Sequence, residues 1–90
     1  SITVITTQEE EMLEKEDREQ LEHGIKLKSI FLTHNRVHFE QLFKEFIKKG
    51  KEHYGIIIAA RRNVYEFARR IANFLERRSA KEIKNQLWYI

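Results

Sequence analysis

Hydrophobic residues follow two different spacings along this chain, and the two spacings alternate. Three short runs are almost continuously apolar or β-branched, which is typical of strands buried within a parallel sheet. These runs cover residues 2–6, 29–33 and 55–59. Between and after them, apolar residues recur every three or four positions, which predicts amphipathic helices. The predicted helices cover residues 17–26, 39–49 and 64–78.

Polar residues mark the ends of these elements. Gly50 ends the second helix, after two lysines in the last turn, where cations are favoured. Asn63 caps the third helix, and Ser79 with Glu82 forms a capping box that opens a further short helix. Residues 88–90 form a final strand at a sheet edge. The order β-α-β-α-β-α-α-β favours a single α/β domain over residues 1–90, built on a parallel sheet.

The first helix is bounded less sharply than the others. Either Gly24 or the step at residues 26–28 ends it. A capping box within residues 6–10 predicts an earlier helical turn, although the stretch that follows is nearly all charged.

Composition narrows the class of protein. The chain has no cysteine, which excludes disulfides and thiolate metal sites. No apolar run approaches the ~20 residues of a transmembrane helix, and no leader precedes the first strand, so we expect a cytoplasmic protein without membrane contact. The formal net charge is +3, but residues 9–22 are acidic and the chain from residue 44 onward is basic. This asymmetry predicts an anionic partner, against the alternative of a solvated surface of mixed charge.

The strand at residues 29–33 ends abruptly in a polar turn, and a helix follows. Ligands bind at the carboxyl ends of strands in open α/β sheets, because loops and helix N-termini converge there. The polar residues at this turn are the strongest candidates for a function. They are Thr33, His34, Asn35, Arg36 and His38.

Three motifs, in this order and spacing, resemble a known family. Residues 17–21 are Asp-Arg-Glu-Gln-Leu, residues 31–39 are Phe-Leu-Thr-His-Asn-Arg-Val-His-Phe, and residues 53–58 are His-Tyr-Gly-Ile-Ile-Ile. Together they resemble an uncharacterised family of small bacterial and archaeal PIN-like proteins. The resemblance covers most of the chain.

The resemblance implies both a fold and a chemistry. The implied fold is a PIN-like three-layer αβα sandwich around a small parallel sheet. The implied activity is Mg²⁺- or Mn²⁺-dependent RNA cleavage, of the kind found in the toxin half of toxin–antitoxin pairs, with an antitoxin protein as partner. Carried over by position, the catalytic residues are Asp17, Asn35 and His38, and the metal ligands are Asp17, Glu19 and Asn35.

This sequence departs from the family pattern in three places. The family's first strand, with its Asp, and the helix after it have no counterpart here. Asn35 stands where Asp is frequent, and His38 stands where Asp is expected. We therefore expect a PIN-like domain truncated at its N-terminus, with a degenerate acidic site and no bound Mg²⁺. The alternative is a non-catalytic module that binds RNA or protein, or serves in assembly.

Each of these residues also has a structural explanation. Asp17 and Glu19 suit the N-terminal turn of a helix, where the dipole favours negative charge. Asn35 suits a helix cap. His34 and His38, with the other two histidines, raise the weaker possibility of a zinc site.

Arginine pairs recur at seven- to eight-residue intervals in the C-terminal half. These arginines predict contact with the phosphate backbone of a nucleic acid. The residues predicted to make that contact are Arg36, Arg61, Arg62, Arg69 and Arg70. The alternative is a solvated helix flank neutralised by Glu66 and Glu76.

Finally, the sequence predicts an obligate homodimer. In the PIN-like arrangement the strands at residues 2–6 and 29–33 flank the family's first strand. Here they either pair directly or leave a bare edge and face for a second copy to cover. Six Phe and one Trp in 90 residues favour the second copy, with contacts from residues 64–78 or 87–90.

Overall fold

The secondary-structure elements follow one another in the predicted order. The computed structural model describes residues 3–6 and 14–90. Its elements are β1 (Val4–Thr6), α1 (Glu14–Lys26), β2 (Ile30–Thr33), α2 (Arg36–Lys49), β3 (Ile56–Ile58), α3 (Val64–Arg77), α4 (Ala80–Ile83) and β4 (Leu87–Tyr89). Most of the capping box expected within residues 6–10 lies outside the described residues.

All four strands are parallel and lie in chain order, β1-β2-β3-β4. The predicted α/β class with a small parallel sheet is therefore confirmed. Ile5 pairs with Phe31, and Phe31 pairs with Ile56 on the next strand. Of the two arrangements expected for the first two strands, the direct pairing is the one observed.

Helices pack on both faces of the sheet, because alternate residues of each strand point to opposite sides. On one face, named here the α1 face, α1 and α2 cover Phe31, Ile56 and Ile58. On the other, named the α3 face, α3 and α4 cover Ile30, Leu32 and Ile57. Phe39, Leu42 and Phe46 anchor α2, whereas Phe74 is the single fully buried residue of α3.

The β3–β4 connection differs in hand from the two before it. Successive strands always step in the same direction across the sheet, yet α3 lies on the opposite face from α1 and α2. Parallel crossovers are overwhelmingly right-handed, so a change of hand within one sheet is uncommon. It leaves the α1 face with two long helices and the α3 face with one long and one short helix.

Two glycines permit close packing. A Cβ atom at Gly24 would lie 2.8 Å from Cδ1 of Ile5, so glycine lets α1 approach β1. Gly24 does not end the helix, which continues to Lys26, and Lys28 then adopts a left-handed conformation with φ 54°. At Gly55, φ is 122° and a Cβ atom would lie 2.4 Å from Cγ2 of Ile83. Glycine at this position allows α4 to pack against the start of β3.

The predicted helix caps are confirmed. Gly50 is left-handed with φ 67° and closes α2. Asn63 accepts a hydrogen bond from the backbone N–H of Glu66 at 2.8 Å, and Ser79 with Glu82 forms a complete capping box. Within residues 3–6 and 14–90, no helix has both the length and the apolar character needed to cross a bilayer.

Candidate functional site

The polar turn after β2 is ordered by its own side chains. The hydroxyl of Thr33 is buried and accepts a hydrogen bond from the backbone N–H of Asn35 at 3.0 Å. Such a turn directs the chain from the strand into α2. His34 donates from Nδ1 to the carbonyl oxygen of Ala59 at 2.7 Å, which joins the ends of β2 and β3. Its ring also lies 5.5 Å from that of Phe67 on α3.

Asp17, Asn35 and His38 come together at the carboxyl edge of the sheet. Asp17 lies on α1 and is only 1% exposed. Its Oδ2 atom accepts from Nδ2 of Asn35 at 3.1 Å and lies 2.9 Å from Nδ1 of His38. The juxtaposition expected of these three residues is therefore observed, and we name them the Asp17 cluster.

The hydrogen bonds of the cluster fix which ring nitrogen carries a hydrogen. A carboxylate only accepts, so Nδ1 of His38 donates to Asp17. Nδ1 of His38 therefore cannot accept a hydrogen bond from Nδ2 of Asn35, although the two atoms are 3.0 Å apart. Nδ2 of Asn35 donates to Asp17 instead. In the neutral ring, Nε2 of His38 remains as an acceptor. The His38 side chain is 36% exposed, so solutes can reach this half of the cluster.

The second oxygen of Asp17 is left without a hydrogen bond. Oδ1 is buried and has no partner among the described residues. Burying a carboxylate oxygen without a hydrogen bond costs folding free energy. Asp17 does lie in the first turn of α1, as the helix-dipole explanation requires, but the dipole does not account for a fully covered side chain.

Arg18, the next residue along α1, holds this helix against α2. Its guanidinium donates two hydrogen bonds to Glu45, one of them 3.0 Å long. The hydrogen bonds from Arg18 lower the pKa of the Glu45 carboxyl to about 2. This ion pair helps to keep Asp17 opposite His38. The sequence analysis missed it, because the partners are 27 residues apart.

Asn35 occupies the cap position of α2 but does not act as a side-chain cap. Its amide turns to Asp17 instead of to the N–H groups of the first helical turn. That turn carries Arg36 and His38 and no acidic residue. The N-terminus of α2 therefore presents the positive end of its dipole together with an exposed guanidinium.

Glu19 does not join the Asp17 cluster, so the structure does not bring it beside Asp17, and its role as a metal ligand stays a prediction. At about 100° per residue, positions 17 and 19 of a helix point about 200° apart. Glu19 instead borders a separate cleft of about 330 Å³. The other lining residues of this cleft are Ile5, Thr6, Gln20, His23 and Phe31. Glu19 and His23 are four residues apart on α1 and therefore share the face of the helix that borders this cleft.

The described residues do not fit a Mg²⁺ or Mn²⁺ site. These ions prefer several oxygen ligands, and Asp17 is the single carboxylate of its cluster. Among the described residues, no group of three or more His, Cys, Asp or Glu side chains could hold a metal ion. The same finding removes the zinc interpretation of His34 and His38 for this part of the chain.

The predicted arginines separate into two sets. Arg36 and Arg61 are exposed near the carboxyl edge, where they follow β2 and β3. Arg62 and Arg70 both face Glu66 on α3, with nitrogen–oxygen distances of 3.7 and 3.3 Å. Arg69 is exposed on the same helix. The expected neutralisation by Glu66 is therefore observed for two of the five arginines.

Comparison with known proteins gives no relative to set beside this geometry. No protein-family model matches the chain, and neither the curated proteins nor the solved structures contain a match to it.

Proposed function

We propose that this protein is a PIN-like domain that binds RNA at the carboxyl edge of its sheet, without metal-dependent cleavage. The observation that carries the proposal is the state of Asp17. Asp17, the acidic residue that the resemblance implies for the site, lies at the carboxyl edge of the sheet, where its carboxylate is buried and engaged by His38 and Asn35. A carboxylate tied in this way is poorly placed to hold a hydrated divalent ion.

Positive groups at the same edge support phosphate binding. The N-terminus of α2 offers backbone N–H groups and the positive end of the helix dipole, which favour an anion. Arg36 is exposed at that terminus, and Arg61 follows the neighbouring strand. Because β2 and β3 are adjacent and parallel, both arginines border one surface, which we name the cationic edge. A nucleic-acid backbone gains most of its affinity from such contacts.

The proposal is tested by RNA binding with a matched pair of variants on one helix. Arg36→Glu reverses a charge at the cationic edge, and Lys48→Glu makes the same change about 18 Å away at the other end of α2. Fluorescence anisotropy with a single-stranded RNA should show affinity reduced at least about fivefold by Arg36→Glu and little changed by Lys48→Glu. Equal losses, or no binding at low salt, would contradict the proposal.

A metal-dependent ribonuclease is the second candidate, and one observation favours it. Oδ1 of Asp17 has no hydrogen-bond partner among the described residues, so one oxygen of the expected metal ligand is not taken by another side chain, although a single carboxylate does not by itself make a Mg²⁺ site. This candidate predicts RNA cleavage that needs Mn²⁺ or Mg²⁺, stops with EDTA and is lost in Asp17→Asn. Binding without cleavage, with and without the ions, supports the first proposal over the second. An antitoxin protein would be the partner of such a nuclease.

A further inference from the structure

Helix α3 has a wider apolar surface than its contact with the sheet uses. At about 100° per residue, its apolar side chains extend over roughly half of the helix circumference. One part of this arc faces the sheet through Phe67, Ile71, Phe74 and Leu75. The other part is exposed, and we name it the α3 stripe. It consists of Val64, Tyr65, Ala68 and Ala72, of which Val64 is 77% and Tyr65 is 89% exposed.

The stripe lies on the flank of α3 that faces away from β4. Phe74, on the opposite border of the apolar arc, packs edge-on against Trp88 of β4 at 5.3 Å. Beyond α3 and α4, no other described element covers the α3 face, and Val4 of β1 is half-buried there. Within residues 3–6 and 14–90, the stripe is therefore uncovered.

We infer that the α3 stripe is the interface of a symmetric homodimer in which α3 packs antiparallel against α3 of a second copy. Ala72 lies at the centre of this arrangement, on the two-fold axis. Its small side chain, with that of Ala68 one turn away, allows the two helix axes to come within about 8 Å. Tyr65 of each chain then lies opposite Ser79 of the other, just after the end of α3.

The charged residues beside the stripe favour a second copy of this chain, over a helix of another protein, as its partner. Arg69 and Glu76 lie beside the stripe on the same border, seven residues apart. Neither forms an ion pair within the described part of the chain, and both are exposed. An antiparallel copy centred on Ala72 places Arg69 of each chain beside Glu76 of the other, so the border is complementary to itself.

The C-terminal strand is the poorer candidate for this contact. Leu87, Trp88 and Ile90 pack against the two cores of their own chain. Arg78 further covers Trp88, with its guanidinium carbon 4.8 Å from the ring centre. The expected dimer contact from residues 64–78 is therefore the one that the inference keeps.

The first test is the mass of the full chain in solution, measured by sedimentation equilibrium. Because one helix pair is a small interface, we expect the 10.9 kDa chain to pass from monomer to dimer between about 5 and about 200 µM. Ala72→Glu should raise the dissociation constant at least about tenfold, because it buries a charge at the axis. Asn73→Glu adds the same charge on the polar side of α3 and should leave it unchanged. Circular dichroism confirms that each variant is folded.

A charge exchange separates self-association from every other use of the stripe. Arg69→Glu and Glu76→Arg should each weaken the dimer by placing like charges together, and the double variant should recover wild-type affinity. A wild-type chain that remains a monomer throughout the range overturns the inference and leaves the stripe to a different partner. A dimer that tolerates Ala72→Glu, or a double variant that recovers nothing, overturns it as well.

Discussion

His38 lies 2.9 Å from Asp17 through atoms Nδ1 and Oδ2, and this contact links α1 to the N-terminus of α2. If this contact stabilises the fold, removing the carboxylate should lower the free energy of unfolding. We expect Asp17→Ala to lower the free energy of unfolding by about 1–3 kcal/mol, because two donors lose a buried acceptor. Asp17→Asn keeps an acceptor oxygen and should cost less.

Urea denaturation at pH 7 measures these differences. Glu19→Ala is the matched control, since Glu19 lies two residues away and is exposed, and it should change stability by less than about 0.5 kcal/mol. An Asp17→Ala protein as stable as the wild type would show that the cluster contributes nothing to folding.

The contact between Gly55 and Ile83 predicts a strong effect of one methyl group. In Gly55→Ala, the new Cβ atom would lie 2.4 Å from Cγ2 and 2.9 Å from the carbonyl oxygen of Ile83, at a φ of 122°. We expect a loss of about 3 kcal/mol or more in the free energy of unfolding, from the clash and the backbone strain together.

Gly50→Ala is the control for backbone strain alone. Gly50 also has a positive φ, 67°, but open space surrounds its missing Cβ. Its substitution should cost about 1 kcal/mol. Thermal denaturation followed by circular dichroism compares the Gly55→Ala and Gly50→Ala proteins. Similar melting temperatures would show that α4 can move away from the new methyl group without loss of stability.

His53 predicts a dependence of stability on pH. Its ring is 2% exposed, its Nδ1 accepts from the backbone N–H of Gly55 at 3.1 Å, and burial lowers its pKa from 6.5 to about 4. Between these two pH values the unfolded chain binds a proton that the folded chain does not. Stability is therefore lost as the pH falls from about 6.5 to about 4, by on the order of 3 kcal/mol in total.

The His53 effect is isolated by comparison with a variant. His53→Asn keeps an acceptor near the position of Nδ1 and removes the titrating ring, so its stability should fall less steeply across that window. His23→Asn changes an exposed histidine and should retain the wild-type slope. Unfolding free energies at pH 7, 6 and 5 suffice, and identical slopes for wild type and His53→Asn would refute the assignment.

Arg77 and Arg78 are neighbours with different predicted contributions. The Arg78 guanidinium carbon lies 4.3 Å from the Phe74 ring centre and 4.8 Å from that of Trp88. Arg78→Ala should therefore cost about 1 kcal/mol and alter the fluorescence of Trp88, the one tryptophan of the chain. Arg77 is exposed, and Arg77→Ala should change stability by less than about 0.5 kcal/mol. Equal effects of both substitutions would contradict the stacked geometry.

The elements of this fold could be predicted because each carries its own local signal. Residues 56–58 are a run of isoleucines between Gly55 and Ala59, and Asn63 predicts the start of the helix that follows. The Asp17 cluster could be predicted for a topological reason, since the carboxyl ends of parallel strands converge. The separation of Glu19 from the cluster follows from helix geometry, because residues two apart on a helix point to different sides.

Contacts between distant side chains could not be predicted in the same way. Arg18 donates to Glu45, and the backbone N–H of His53 donates to the side chain of Asn85, 32 residues later. Both contacts depend on the angles at which whole elements pack, and no local sequence pattern fixes those angles. Asn35 shows a second limit. Its type and position suit a helix cap, but a buried carboxylate nearby competes for the same amide.

The sheet order that equals the chain order determines which part of the molecule can open by itself. Among the described strands, β1 and β4 each contact a single neighbour, whereas β2 and β3 each have two. Local opening is easiest at the ends of such an array, so we expect the β1–α1 unit, at one of the two ends, to be able to detach while the other strands remain paired. Detachment would carry Asp17 away and leave Asn35 and His38 in place on the remaining body. The Asp17 cluster thus spans the boundary between one edge unit of the sheet and the rest of the domain, and its assembly reports whether that unit is closed.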